Sequence, residues 1–228
     1  MTVVSSLPHV MLICDYQYCG STERWCEVLQ TVSKRDWNNE LAVQVRIKNQ
    51  TATQYRQLAE LAKSILPSTV RTLLNDDPEV ALELGYDGVH LPQSRFETPP
   101  MYTEKLSWIS VAIHETSELD FLERLGAHSI VVAPVFRPQW KASTPLGLSR
   151  LRTLVVQSAV PVFALGGIDN SNIGACQQQH VHGVAVLSSV LKARDPEDVL
   201  EQYLSAFDRR RISRSSEIES DGDECVSG

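Results

Sequence analysis

At 228 residues the chain has the length of a single α/β domain, and 43% hydrophobic against 21% charged residues is ordinary globular composition. A formal net charge of -7 argues against a general nucleic-acid binder or a ligand of anionic membranes, but a few placed Arg and Lys residues still suit a small anionic molecule. The five cysteines, Cys14, Cys19, Cys26, Cys176 and Cys225, show no paired metal-ligand spacing, and neither a long apolar run nor a secretory leader is visible, so free thiols in a cytoplasmic protein are expected.

In chain order, His9 to Cys14 reads as a first strand closing on Asp15. Thr22 to Ser33 follows as a helix, with Trp25, Val28, Leu29 and Val32 at helical spacing. Leu41 to Ile47 is a second strand, in which Gln44, Arg46 and Lys48 alternate with Val43, Val45 and Ile47. Ala52 to Leu66 is a helix, Thr69 to Leu74 a third strand, and Asp77-Pro78 a helix start with an N-cap acid and a first-turn proline. Asp87 to Leu91 is a fourth strand; the prolines after Phe96 leave only Thr103 to Leu106 for a helical turn. Trp108 to Ile113 is a fifth strand, Ser117 to Leu125 a helix capped by Gly126, and Ser129 to Val132 a sixth strand. A polar loop from Arg137 to Pro145 precedes a helix from Leu148 to Gln157. Val160 to Leu165 is a seventh strand, Asn170 caps a helix to Gln179, Gly183 to Leu187 is an eighth strand, and Asp195-Pro196 starts a last helix to Phe207.

Eight strand–helix alternations favour one (β/α)8 TIM barrel over residues 1–207, although an open doubly wound sheet fits the same alternation with fewer strands. Residues 208–228 carry an arginine cluster, then serines and acids, with few apolar residues, and are expected to be a disordered polar tail. Its Arg-Arg-Arg-Ile-Ser run leaves a phosphorylation or docking site as the alternative.

Ligands of such barrels meet the carboxyl ends of the strands. Those ends carry Asp15; Gln44, Arg46 and Lys48; Asn75, Asp76 and Asp77; His90 and Gln93; His114; Arg137 and Lys141; Gly166-Gly167; and Ser188-Ser189. Arg46 and Lys48 make a compact cationic pair suited to phosphate oxygens, unless Arg46 pairs with Asp76 as structure. The two small-residue pairs after strands seven and eight suit close approach of a phosphate to the backbone. Asp76 is free for a hard cation such as Mg2+, while Asp77 caps the next helix. His90 and His114 are either satisfied interior histidines or acid–base groups.

The segments VQVRIK, LLNDD, DGVHLPQS, APVFRPQWK with TPLGL, FALGGI and GVAVLSSV, from about Met11 to Val190, resemble the thiamine phosphate synthase and TenI thiazole tautomerase superfamily. That resemblance implies a transferase joining a hydroxymethylpyrimidine diphosphate to a thiazole phosphate, with loss of diphosphate. It implies Gln44, Arg46 and Lys48 at the pyrimidine and diphosphate, Asn75 and Asp76 at the pyrimidine and Mg2+, and Lys141 at the diphosphate. Gly166, Gly167, Ser188 and Ser189 would form the thiazole phosphate cradle, with His90, Gln93 and His114 also at the substrates.

Several positions depart from the synthase pattern. The second metal aspartate is Arg95, the glycine before Gln93 is Pro92, the serine two residues before His114 is Ala112, and two loop threonines are Pro138 and Trp140. The wording of HLP is closer to the tautomerase branch, whose proton-carrying histidine is here Pro134. The leading expectation is synthase chemistry. A metal-independent thiazole phosphate tautomerase and a non-catalytic thiazole phosphate-binding barrel are the competitors, and a homo-oligomer is left open.

Overall fold

A computed structural model describes residues 7–97, 105–137 and 143–207. Eight parallel strands, β1 (Val10–Asp15), β2 (Leu41–Arg46), β3 (Arg71–Asn75), β4 (Gly88–Leu91), β5 (Trp108–Ile113), β6 (Ser129–Val132), β7 (Val162–Leu165) and β8 (Gly183–Val186), follow one another round a closed barrel. Closure comes from pairing of β1 with β8, Val10 to Leu12 against Val184 to Val186, which excludes the open-sheet alternative.

Each strand is buried along nearly its whole length because the barrel covers one face and the helices the other. Period-two alternation sorts the side chains into two cores. Leu12, Val43, Val45, Leu74 and Val89 point outward and pack under the helices. Met11, Ile13, Ala42, Leu73, Trp108, Val131, Phe163 and Ala185 fill the inside. Trp108 donates from its indole nitrogen to Ser129 Oγ at 2.9 Å, which satisfies the one polar atom of the largest interior side chain. Filled in this way, the barrel interior is plugged below a polar mouth at the carboxyl ends of the strands.

The covering helices are α1 (Tyr16–Cys19), α2 (Thr22–Ser33), α3 (Ala52–Ile65), α4 (Pro78–Glu83), α5 (Gly147–Gln157), α6 (Ile173–Gln178), α7 (Ser188–Leu191) and α8 (196–207). Thr51 closes a capping box with Gln54 at the start of α3, and Asp77 caps α4 by accepting from Val80 N at 3.0 Å.

Two expectations need correction, and two short elements are added. Thr116–Phe121 is a 3-10 helix rather than an α-helix from Ser117 to Leu125, because Glu118 turns inward to accept backbone N–H groups. The start of α6 lies at Asn172 rather than Asn170, since Asp169 and Asn172 form the turn before it. Gln93–Arg95 forms a 3-10 turn, and α1 is an additional turn that Asp15 caps through Tyr18 N at 2.9 Å. The helical turn proposed from Thr103 lies partly outside the described residues, as do the loop at 138–142 with Lys141, and the whole 208–228 tail. Among the described residues, Cys14, Cys19, Cys26 and Cys176 are free thiols, and no helix is long and apolar enough to cross a membrane.

Candidate active site

The carboxyl end of β7 runs into Gly166 and Gly167, with φ of 102° and 63°. The chain after β6 lies directly against them. Val135 N donates to Leu165 O at 2.8 Å and Phe136 N to Gly166 O at 3.0 Å. A side chain on Gly166 would place its Cβ 2.7 Å from Pro134 Cβ, and one on Gly167 would lie 2.8 Å from Arg137 O. Both glycines are therefore required by conformation and by contact. Asn172 Nδ2 donates to Gly167 O at 2.8 Å, and the Tyr203 hydroxyl bonds to Ile168 O and Ser189 Oγ, each at 2.9 Å. These bonds fix the β7 loop against Ser188 and Ser189, the first residues of α7.

The resulting cavity, about 180 Å³, is lined by His114, Ser143, Gly166, Gly167, Ser188 and Ser189 among others. It adjoins a second hollow of about 450 Å³ that shares Gly167, Ser188 and Ser189 and adds Arg137 and Lys192. The cradle itself carries no Asp, Glu, Lys or Arg, and its outer mouth sets Arg137 and Lys192 against Asp169.

Across the barrel mouth, a larger cavity of about 730 Å³ opens between the loops after β2, β3 and β4. Lys48, Arg56, Asn75, Asp76, Asp77 and Arg95 supply its charged and polar wall. Asp76 adopts φ 76°, a conformation that costs a non-glycine residue and is concentrated at functional sites. It is held there because Asp76 N donates to His90 O at 2.9 Å, and because Arg95 bonds one carboxylate oxygen and the backbone carbonyl of Asp76. Arg95 Nε donates to Asp76 Oδ1 at 2.7 Å and Nη2 to Asp76 O at 3.1 Å. The expectation that Asp76 stands free for a cation is therefore corrected.

Arg46 lines neither cavity wall. It forms an ion pair with buried Asp15, not with Asp76, because the β1–β2 register sets Asp15 opposite Arg46. Beneath the mouth, Gln44 Nε2 donates to Asn75 Oδ1 at 3.1 Å, while Gln44 Oε1 is buried without a partner among the described residues. Tyr55 donates to Asn75 O at 2.8 Å, and burial pushes its phenol well above the ordinary range, so it stays a donor.

His90 is buried, with Nδ1 3.0 Å from Ser110 Oγ. Burial first, then the positive charges of Arg46 and Lys48, push its pKa down to about 3. At neutral pH it is an uncharged hydrogen-bonding group. His114 differs: its Nδ1 lies 2.6 Å from Ala133 O, which can only accept, so the neutral ring carries its proton on Nδ1 and a lone pair on Nε2.

Sequence reasoning missed the group that holds this edge together. Glu118 is buried and accepts from Gln93 Nε2 at 2.6 Å, from His114 N at 2.6 Å and from Glu115 N at 3.3 Å. Gln93 is thereby turned toward Glu118 and away from both cavities. The Glu115–Glu118 capping-box spacing was the available signal. Ser143, which lines the cradle, and Lys192, which ends α7 and lines the outer hollow, were also missed; neither belongs to an obvious motif.

The residues do not fit a resident Mg2+. Asp76 is engaged by a guanidinium, Asp77 caps α4, and no three His, Cys, Asp or Glu side chains cluster as ligands among the described residues. A dication about 5 Å from the Arg95 guanidinium would be repelled by roughly 2–7 kcal/mol, depending on screening by water.

Comparison with known proteins places this geometry among relatives. A family profile described as thiamine monophosphate synthase matches residues 10–190. A putative thiamine-phosphate synthase 2 from Aquifex aeolicus is 29% identical over 194 residues, covering 82% of this chain and 99% of that protein. A thiamine-phosphate synthase from Vibrio parahaemolyticus is 31% identical over 173 residues, covering 73% and 84%. Among solved structures, a thiamine phosphate pyrophosphorylase from Pyrococcus furiosus superposes with a TM-score of 0.72 at 23% identity, covering 87% and 94% of the two chains. A 3-hexulose-6-phosphate synthase does so at 0.63 and 16%, covering 87% and 99%, and these two likenesses speak for the barrel alone.

Proposed function

The chain belongs to the thiamine monophosphate synthase and TenI superfamily, and on that premise we propose that it is a thiamine phosphate synthase-type transferase. Its substrates would be a hydroxymethylpyrimidine diphosphate and a thiazole phosphate. The observation that carries the reading is the pairing of two unlike cavities on one barrel mouth: a neutral small-residue cradle on β7–β8 and a charged hollow over β2–β4.

In this reading the thiazole phosphate lies on Gly167, Ser188 and Ser189, with Arg137 and Lys192 at the outer rim balancing its charge. The pyrimidine lies over Gln44 and Asn75. The unmet Gln44 acceptor suits a ring amino group once the carboxamide turns toward it. The diphosphate lies toward Lys48 and Arg95, and Lys141 would join them from the loop at 138–142.

The chemistry is a substitution at the pyrimidine methylene. Its C–O bond to diphosphate breaks, and the electron pair leaves with the diphosphate. The thiazole nitrogen then donates its lone pair to form the new C–N bond. Side-chain cations favour the first step by stabilising the leaving charge, and the facing cavities favour the second by holding the nitrogen near the methylene. His90, uncharged, adds no repulsion to the forming pyrimidine cation. Purified chain supplied with both substrates, with and without Mg2+, should form thiamine phosphate; no product under either condition would overturn the reading.

One observation favours a second reading, thiazole phosphate tautomerisation. His114 lines the cradle, and its bond to Ala133 O leaves Nε2 as a base there. Conversion of a thiazole carboxylate phosphate tautomer, abolished by His114→Gln, would establish it. Retained conversion in that variant would remove it.

A further inference from the structure

The hollow over β2–β4 is built to hold an anion by side-chain charge. Three cations, Lys48, Arg56 and Arg95, line it against two carboxylates, Asp76 and Asp77. Both carboxylates are already committed, Asp77 to the first turn of α4 and Asp76 to Arg95. Arg56 pairs with Glu83 at the outer edge.

Arg95 is placed with more care than a surface arginine needs. It sits on the 3-10 turn that follows β4, while Asp76 follows β3, and the Asp76 N to His90 O bond links the two strand ends. Two different nitrogens of the guanidinium are fixed by two different oxygens of Asp76, one from the side chain and one from the backbone. A guanidinium has five N–H donors in a planar fork, so three remain after those bonds. That fork matches paired phosphate oxygens.

We propose that this cavity binds the diphosphate group without a divalent cation, with Arg95 supplying the positive charge and Asp76 positioning Arg95. The inference rests on the synthase reading only for the source of the diphosphate. It replaces the metal with a side chain: a fixed +1 charge with directed donors stands where a hydrated dication would otherwise bridge carboxylate and phosphate. The two devices compete, since Arg95 holds one oxygen of the carboxylate a metal would use and its positive charge repels a dication.

The probe is inorganic diphosphate, titrated calorimetrically into the full chain in excess EDTA. Wild-type protein should bind it, and titration with Mg2+ alone should show no site. Arg95→Gln should weaken diphosphate binding by about ten-fold, and Arg95→Lys should recover part of that loss. Asp76→Asn, which keeps the size but loosens the fork, should weaken binding less than Arg95→Gln does. Thermal unfolding of each variant separates a lost contact from a lost fold.

Binding of diphosphate only when Mg2+ is present would overturn the proposal, as would an Arg95→Gln variant that binds like wild type. The two readings fail separately. A chain that binds diphosphate in EDTA yet makes no thiamine phosphate keeps this inference and loses the synthase. One that makes thiamine phosphate only with Mg2+, and binds no diphosphate in EDTA, does the reverse.

Discussion

The two sides of the barrel mouth are built from different materials. On β7–β8 the site is backbone: two glycines with positive φ, two serines opening a short helix, and carbonyls locked by Asn172 and Tyr203. On β2–β4 it is side chain: charges that hold one another in pairs, Arg46 with Asp15 and Arg95 with Asp76. A backbone cradle can change little, because any added Cβ meets the neighbouring loop. A side-chain site can exchange one charge device for another by a single substitution without disturbing the strands beneath. This accounts for a chain that keeps FALGGI and VLSS while Arg95 stands at the expected metal aspartate.

The comparison can be broken first at the buried charge pair. Arg46→Leu leaves Asp15, 4% exposed, without its counter-charge, and should cost about 2–3 kcal/mol in chemical unfolding, toward the low end for buried pairs because Arg46 is partly solvated. Asp15→Asn combined with Arg46→Leu should recover much of that loss; no recovery would mean that Arg46 acts through packing.

Next comes the cradle. Gly167→Ala forces a side chain into φ 63° against Arg137 O and should cost about 2 kcal/mol, with thiazole phosphate affinity falling more than stability. Equal affinity in the variant, measured by calorimetry, would show that the phosphate does not approach Gly167.

His90 predicts a pH effect on the side-chain half. Its pKa is near 6.5 unfolded and about 3 folded, so between those values the unfolded chain binds a proton that the folded chain does not. Stability therefore rises with pH, is complete above 6.5 and is lost on acidification, at about 1.4 kcal/mol per pH unit within the window. Denaturant midpoints of wild type and His90→Asn from pH 7 to 4.5 should converge as pH falls; parallel curves would refute the assignment.

The smallest effect is the most telling. Arg95 and Asp76 keep 38% and 43% of their side chains exposed, so Arg95→Gln should change stability by less than about 1 kcal/mol. A larger loss of stability would make the pair a structural brace rather than a ligand device.

The mouth was legible in outline because a strand's last residues adjoin its loop in sequence. Reading Gln44, Arg46, Asn75, His90 and Gly166-Gly167 at strand ends required only period-two alternation. Which of them met was not legible. Arg46 selected Asp15 through strand register, and Glu118, 25 positions from Gln93, joined that residue to the backbone of His114. The segment after Glu115 has the apolar spacing of a helix, yet the inward carboxylate tightened it to 3-10.

Taken alone, then, the amino-acid order determined the alternation of strands and helices, the barrel and the small-residue pairs, because local periodicity and glycine conformation are properties of neighbouring residues. Only the tertiary structure decided how the charges are spent. Ion pairs form across strands and loops that meet through barrel closure, and each pairing removes a group from the list of those available to a metal. Asp76 read as a metal ligand in sequence; its engagement by Arg95 appears only when the loops after β3 and β4 are brought side by side.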